Sequence, residues 1–323
     1  MRLRLAALAF LLLPQAAAQA QPKLELPVAC TLGQDCYVQN YVDHDGGPGW
    51  KDFTCGPLSY DKHTGTDIAM TDPTAWRRGV TIRAAAPGRV VGVRDGMQDH
   101  SRRAPAPPDI TDRDCGNRVG IQHGNGWLTQ YCHLKQGSVS VKDGDLVTAG
   151  TPLGQMGMSG RADFPHIHIQ LVRQSTVFDP FSAEPATTGC GLKPNQFWAN
   201  PQPYIQTGSI GAGFATEMPV DYRAWQGDYA ASEFTGPPPQ LLFWGMVFGI
   251  RKGDVPQLRL TLPSGQIILS PDAPWARDQA VAMQVVGTKA RDGSIEPGTY
   301  RAEYRLLRAG RPVVALRREA VVK

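Results

Sequence analysis

Beyond its first twenty residues the sequence has no apolar run long enough to cross a bilayer. The richest, Leu241 to Ile250, is interrupted by Gly245 and Gly249 and falls short of the roughly 20 residues that a spanning helix needs. This excludes a later membrane helix and predicts a soluble mature chain. A basic stripe is missing as well. The formal charge of +4 includes Arg2 and Arg4 at the extreme N-terminus, so the mature excess is small. A nucleic-acid partner is not expected, and at most weak attraction to an anionic polymer follows. There is no Cys-x-x-Cys pair to suggest a thiolate metal site, no Gly-x-Ser-x-Gly elbow for a serine nucleophile and no His-Glu-x-x-His helix motif. No window shows an apolar helical stripe with caps, and no internal repeat is apparent.

What is present begins with a leader. Arg2 and Arg4 precede the apolar run Leu5 to Leu13, then Pro14 and the small-residue end Ala18-Gln19-Ala20. These are the basic, apolar and cleavage regions of a secretory signal, so residues 1–20 are read as a signal peptide. With no cysteine at the cleavage point, a lipid anchor is not indicated, and the mature chain is expected to be periplasmic or secreted. Six cysteines (Cys30, Cys36, Cys55, Cys115, Cys132, Cys190) fit up to three disulfides in such a compartment. Cys115 and Cys132 flank a plausible hairpin and are expected to pair; the other pairings stay open.

Taken in order, residues 21–60 read as an irregular, disulfide-tied lead-in. Short β-type runs follow at 80–83, 88–93, 118–122, 127–131 and 138–141, punctuated by Asp95-Gly96, Gly124-Asn125-Gly126, Asp143-Gly144 and Ser159-Gly160. The long polar stretch from Met97 to Cys115 is expected to wall a substrate groove. The Pro- and Asn-rich segment 193–207 reads as a linker. Longer runs then appear at 240–247, 257–262, 266–269, 280–286, 298–307 and 312–316. The chain is therefore predicted to be mostly β, with a first domain over 21–205 and a small immunoglobulin-like β-sandwich over 206–323. The second part contains no histidine, which assigns the chemistry to the first and leaves the second an accessory, wall-binding or packing role. A monomer is expected.

The chemistry-bearing residues fall into three short motifs. If 167–172 forms a strand, His166 and His168 leave the same face, because a strand repeats every two residues. That pair alone could bind a metal or divide the work between metal and proton. His63-Thr64-Gly65-Thr66-Asp67 places an imidazole and a carboxylate four residues apart around a glycine that would permit a sharp turn, and Tyr131-Cys132-His133-Leu134 adds another imidazole. His63, Asp67 and one His of the 166/168 pair would complete the three protein ligands of a catalytic zinc site.

In order and approximate spacing, these motifs, the glycine-rich run from Gly144 to Gly160 and Pro165-His166-x-His168 resemble the lysostaphin-type, LytM-like zinc peptidases of bacterial cell walls. The resemblance covers about residues 60–180 and includes Gly116-Asn117-x-Val119; Ile167 departs from the more frequent Leu. It implies Zn²⁺ held by His63, Asp67 and His168, with His133 and His166 as non-ligand active-site histidines. These two would accept a proton from the attacking water, stabilise the oxyanion and protonate the leaving amine. The implied activity is endopeptidase cleavage of peptide cross-links in peptidoglycan, and the exported form favours D-alanyl links over glycine bridges. The alternative is a non-catalytic cell-wall scaffold or amidase activator on the same fold. His44, His100 and His123 are assigned solvated or structural roles, and Asp61 a surface turn. Asn117 is either a turn residue or a substrate-orienting group, and Tyr131 either a core aromatic or a groove hydroxyl. Cys132 is set aside as a nucleophile because it would point away from His133 and is spent in a disulfide.

Overall fold

The computed structural model describes residues 21–290 and 293–323. The signal peptide assigned to residues 1–20 lies outside the described residues, as do Arg291 and Asp292 of one expected turn. The chain is mostly β and its pairings are almost all antiparallel. In the first part the strands are β1 (Cys36–Asn40), β2 (Thr66–Met70), β3 (Thr81–Arg83), β4 (Gly88–Arg94), β5 (Asn117–Gly124), β6 (Trp127–Leu134), β7 (Leu146–Val147), β8 (Pro152–Gln155), β9 (Ile167–Arg173) and β10 (Thr176–Phe178). One sheet runs β1-β2-β9-β6-β5-β4-β7 with β10 on β9, and β3 pairs with β8 separately. One face of the large sheet is apolar, with Ile68, Val119, Ile121, Tyr131, Ile167, Ile169 and Leu171 buried in the core. Its other face carries the polar residues taken up below.

Beyond residue 205 the strands are β11 (Gly208–Ala215), β12 (Glu233–Phe234), β13 (Gln240–Ile250), β14 (Val255–Thr261), β15 (Ile267–Leu269), β16 (Gln279–Lys289), β17 (Gly298–Arg308) and β18 (Arg311–Val322). They form the sheets β11-β13-β16 and β12-β18-β17-β14-β15. Phe214, Phe243 and Val247 from the first sheet and Leu258, Leu260, Tyr300, Tyr304 and Leu306 from the second share one core. The opposite face of β13 sends Trp244, Met246 and Phe248 into the larger apolar cluster of the first part. Burial on both faces explains why 241–250 reads as a continuous apolar run, where a half-buried strand would alternate.

Three sequence expectations need correction. The lead-in is not wholly irregular: β1 pairs with β2 at the edge of the main sheet. Residues 138–141 form no strand. One backbone bond reaches β8, from Ser140 N–H to the Leu153 carbonyl at 3.0 Å, and the other contacts run through serine side chains, Gln155 N–H donating to Ser138 Oγ at 3.0 Å and Ser140 Oγ to the Pro152 carbonyl at 3.0 Å, so no continuous backbone ladder develops. The supposed linker is tied down, because Phe197 and Trp198 are buried and Leu24 exchanges backbone bonds of 2.8 Å with Phe197 and Ala199. Two short helices, α1 (Ala75–Arg78) and α2 (Asp221–Trp225), are too brief to leave a periodic signal. No helix among the described residues is long and apolar enough to cross a membrane.

Candidate metal and active site

The polar face of the main sheet is organised as one row across four strands. Asn40 of β1 lies opposite Asp67 of β2, Asp67 opposite His168 of β9, and His168 opposite Cys132 of β6. Sheet register therefore brings Asp67 and His168 together from 101 positions apart. His63, which precedes β2, turns its ring into the same place. His63 Nε2 and Asp67 Oδ1 are 3.1 Å apart, His63 Nε2 and His168 Nδ1 3.1 Å, and His168 Nδ1 and Asp67 Oδ1 2.9 Å. All three residues are buried.

The hydrogen bonds around this cluster decide which atoms are free. His63 Nδ1–H donates to the Tyr41 carbonyl at 2.7 Å, leaving the Nε2 lone pair facing inward. Asn40 Nδ2–H donates to Asp67 Oδ2 at 2.9 Å, leaving Oδ1 for the centre. Three electron-pair donors thus converge with few protons to share, an arrangement that a cation relieves. Ligands about 2.0–2.1 Å from a tetrahedral ion stand about 3.3 Å from one another, so slight opening of the observed triangle admits one. Burial would raise the Asp67 carboxyl, but the adjacent imidazoles, His63 first and then His166 and His168, hold it well below the usual carboxylate range. For His63, burial disfavours the charged form and the adjacent Asp67 overcomes it, so its pKa is raised. Burial dominates at His168, where Asp67 offsets it only in part, and the pKa is lowered.

The two remaining histidines are fixed by backbone carbonyls. His133 Nδ1–H donates to Ser159 O at 2.7 Å and His166 Nδ1–H to Phe164 O at 2.8 Å. Each therefore keeps Nε2 free as a proton acceptor, and His166 Nε2 lies 3.5 Å from Asp67 Oδ1. The rings of His133 and His166 are 4.7 Å apart. Burial, followed by repulsion from His166 and His168, pushes the His133 pKa well below its ordinary value, which keeps it neutral near pH 7 as a general base requires.

Two local conformations build the site. Gly65 is not among the residues with positive φ, so the turn expected of it is not its role. A Cβ there would stand 2.5 Å from His168 Nε2 and 2.7 Å from the Ile169 carbonyl; glycine gives the His168 ring its clearance. Gly65→Ala is expected to displace that ring and weaken metal affinity about 10–100-fold, the range for disturbing groups that orient ligands, as read by titration against a metal chelator. His133, by contrast, has φ 63°, in the left-handed region. The left-handed backbone breaks strand alternation and swings its imidazole round to the row of ligands. Pairing with His168 puts Cys132 on that same face, contrary to the sequence expectation; what removes it as a nucleophile is its disulfide with Cys115.

The other residues singled out in the sequence resolve as structural. Tyr131 is a fully buried core residue whose hydroxyl accepts from Ala85 N–H at 2.7 Å. Asn117 anchors the 97–115 stretch, exchanging bonds of 2.8 Å with both backbone groups of Met97. His44 is buried against Asp179 at 3.1 Å, His100 bonds the Ser101 carbonyl, and His123 bridges the Pro87 carbonyl and Thr129. Asp61 is exposed.

A cleft of ≈ 840 Å³ opens beside the cluster, with Asp67 and His166 on its floor. Arg103 of the 97–115 stretch contributes to its wall, as expected, together with Trp50, Tyr60 and Phe164. The rest of the lining comes from beyond residue 205: Trp225 of α2 and residues 277–281, which lead into β16. Sequence reasoning missed these residues, along with Asn40. The β-favouring pair Tyr37-Val38 could have pointed to a strand and so to Asn40, whereas nothing local marks Trp225.

Residues 61–180 match the model of peptidase family M23. The peptidoglycan DD-endopeptidase ShyC of Vibrio cholerae is 35% identical over 150 residues, 45% of this chain and 32% of that protein. ShyA of the same organism is 33% identical over 110 residues, 34% of this chain and 20% of that protein. The matched stretch thus spans about a fifth to a third of these relatives. Among solved structures, the lysostaphin catalytic domain from Staphylococcus simulans is 26% identical, covering 42% of this chain and 86% of that one, with a TM-score of 0.28. His63, Asp67 and His168 and both carbonyl-fixed histidines lie within the matched stretch, so the site falls inside the part of the chain that is similar to peptidase family M23.

Proposed function

We propose that the chain is an exported zinc endopeptidase that hydrolyses peptide cross-links in bacterial peptidoglycan. His63, Asp67 and His168 hold the ion, and His133 and His166 handle protons. The observation that carries this reading is the completeness of the set: three convergent metal donors stand beside two imidazoles, each with its Nδ1–H fixed and its Nε2 free. When bound, zinc lowers the pKa of a water molecule and polarises the peptide carbonyl. The protein's own groups do the rest. One imidazole takes the water proton at its free Nε2, the imidazolium so formed can donate a hydrogen bond to the developing oxyanion, and that proton then passes to the leaving amine.

Charge in the cleft supports a substrate bearing carboxylates. Asp163 is paired with Arg103 and Asp278 with Arg251, while Arg277 has no ion pair among the described residues. Cross-links made through D-alanine fit this environment, in line with the DD-endopeptidase names of ShyA and ShyC. We assign residues 21–205 to the peptidase unit, with its lead-in, and residues 206–323 to an accessory immunoglobulin-like β-sandwich. The protein acts as a periplasmic or secreted monomer.

The test is metal content together with digestion of purified sacculi. About one zinc per chain is expected, along with release of peptide fragments, and mass spectrometry of defined muropeptide dimers identifies the bond. A protein that retained no zinc, or that left sacculi intact with zinc bound, would instead be a scaffold.

A further inference from the structure

Trp225 belongs to α2, within the segment assigned above to the accessory unit, yet its indole is buried in the wall of the cleft. It stacks on Phe164 at 4.8 Å and 23° between planes. Phe164 in turn lies against His166 at 4.5 Å and 31°, and its carbonyl accepts the His166 Nδ1–H. The same residue thus sets both the tilt and the tautomer of His166. This support matters because His166 precedes β9 and its backbone is tied by an isolated bridge to Gly157, whose carbonyl accepts the His166 N–H at 3.1 Å; the orientation of the ring depends on what packs on it.

On its far side Trp225 is clamped. Its Nε1–H donates to the Tyr37 hydroxyl at 3.3 Å, and the Arg103 guanidinium lies 5.6 Å above its ring. Arg103 also pairs with Asp163, next to Phe164, and with Asp221, the first residue of α2. Together these contacts fasten α2 to the loop that carries Phe164.

We propose that Trp225 is a positioning residue for His166, so that the C-terminal unit is part of the active-site framework as well as a neighbour of it. The catalytic consequence rests on the endopeptidase reading given above; the placement of the imidazole does not. Loss of the stack frees Phe164, and the carbonyl that orients His166 moves with it. A displacement of about 1 Å at a reacting group costs about 10²-fold in rate.

The experiment uses the full-length, zinc-loaded protein. Trp225→Ala is expected to lower kcat about 10–100-fold, with a smaller change in KM and unchanged zinc per chain. Trp225→Phe, which keeps a ring on Phe164, is expected to restore most of kcat. Arg103→Gln loosens the clamp without emptying the core, is expected to give an intermediate loss, and carries the test if Trp225→Ala does not fold. Imidazole ¹H–¹⁵N spectra give a second readout: the His166 signals should shift in Trp225→Ala and return in Trp225→Phe, while those of His63 and His168 stay in place. An unchanged kcat, a loss confined to KM, or unmoved His166 signals would each overturn the proposal. If the parent digests no substrate but the His166 signals respond as described, the endopeptidase reading fails and the positioning role stands.

Discussion

His133→Ala is expected to retain the metal and to lose about 10²–10⁴-fold in turnover, the contribution of a general acid–base group. His168→Ala is expected to lose metal and activity together. The difference follows from where the two rings point. His133 is not among the donors that converge on the centre; its Nδ1–H is committed to the Ser159 carbonyl, and burial keeps it neutral. His168 supplies Nδ1 to the triangle, 2.9 Å from Asp67 Oδ1, so its removal leaves two ligands and a buried carboxylate that has lost a neighbour. Metal per chain and turnover on muropeptides, measured on the same preparations, separate the two cases. A His133→Ala protein that lost its metal, or that digested substrate like the parent, would contradict the division of roles.

The second large effect concerns stability. Cys55 and Cys190 are joined across a sequence separation of 135, against 6 for Cys30–Cys36 and 17 for Cys115–Cys132. On the chain-entropy account a loop of this size contributes about 5 kcal/mol, compared with about 2 kcal/mol for the shortest of the three. The Cys55→Ser, Cys190→Ser double variant should therefore be the least stable of the three possible disulfide knock-outs. Its folded state should change little, because the N–H groups of Gly191 and Leu192 both donate to the Phe53 carbonyl at 2.8 and 2.9 Å and keep the two segments adjacent. The loss acts mainly through the unfolded chain, so urea unfolding should show a lower midpoint with a steeper slope. A double variant as stable as the parent would show that the loop constrains nothing.

The site was more legible in the sequence than its surroundings, for physical reasons. Metal chemistry restricts residue types, so His63, Asp67, His133, His166 and His168 stand out as short motifs however far apart they lie. Orienting groups are under no such restriction: Asn40 reaches Asp67 only because β1 and β2 pair in one register, and Trp225 reaches Phe164 only through the packing of α2 on the first part of the chain. Strands bounded by turn residues announced themselves as short β-type runs, as β5 and β6 did, and the apolar content of 167–172 pointed to β9. The 138–141 segment reads as a β-type run as well, but it makes a single backbone bond to β8, from Ser140 to Leu153, with serine hydroxyls taking the contacts beside it, a choice that local pattern does not encode. The apolar run of β13 was visible, but the reason for it was not, since a strand buried by two different cores looks the same in sequence as one buried by a single core.

The left-handed backbone of His133 also bears on how such a domain could change over generations. A non-glycine residue held there costs about 1–2 kcal/mol, and asparagine or glycine at that position would recover part of it. The mutations that abolish proton transfer are thus among those that the fold itself favours. A lineage released from selection for hydrolysis would lose His133 readily while keeping His63, Asp67 and His168, because none of these three has a left-handed backbone to relieve. Descent from hydrolase to scaffold would then begin at position 133, with a protein that still binds metal and is slightly more stable than its ancestor.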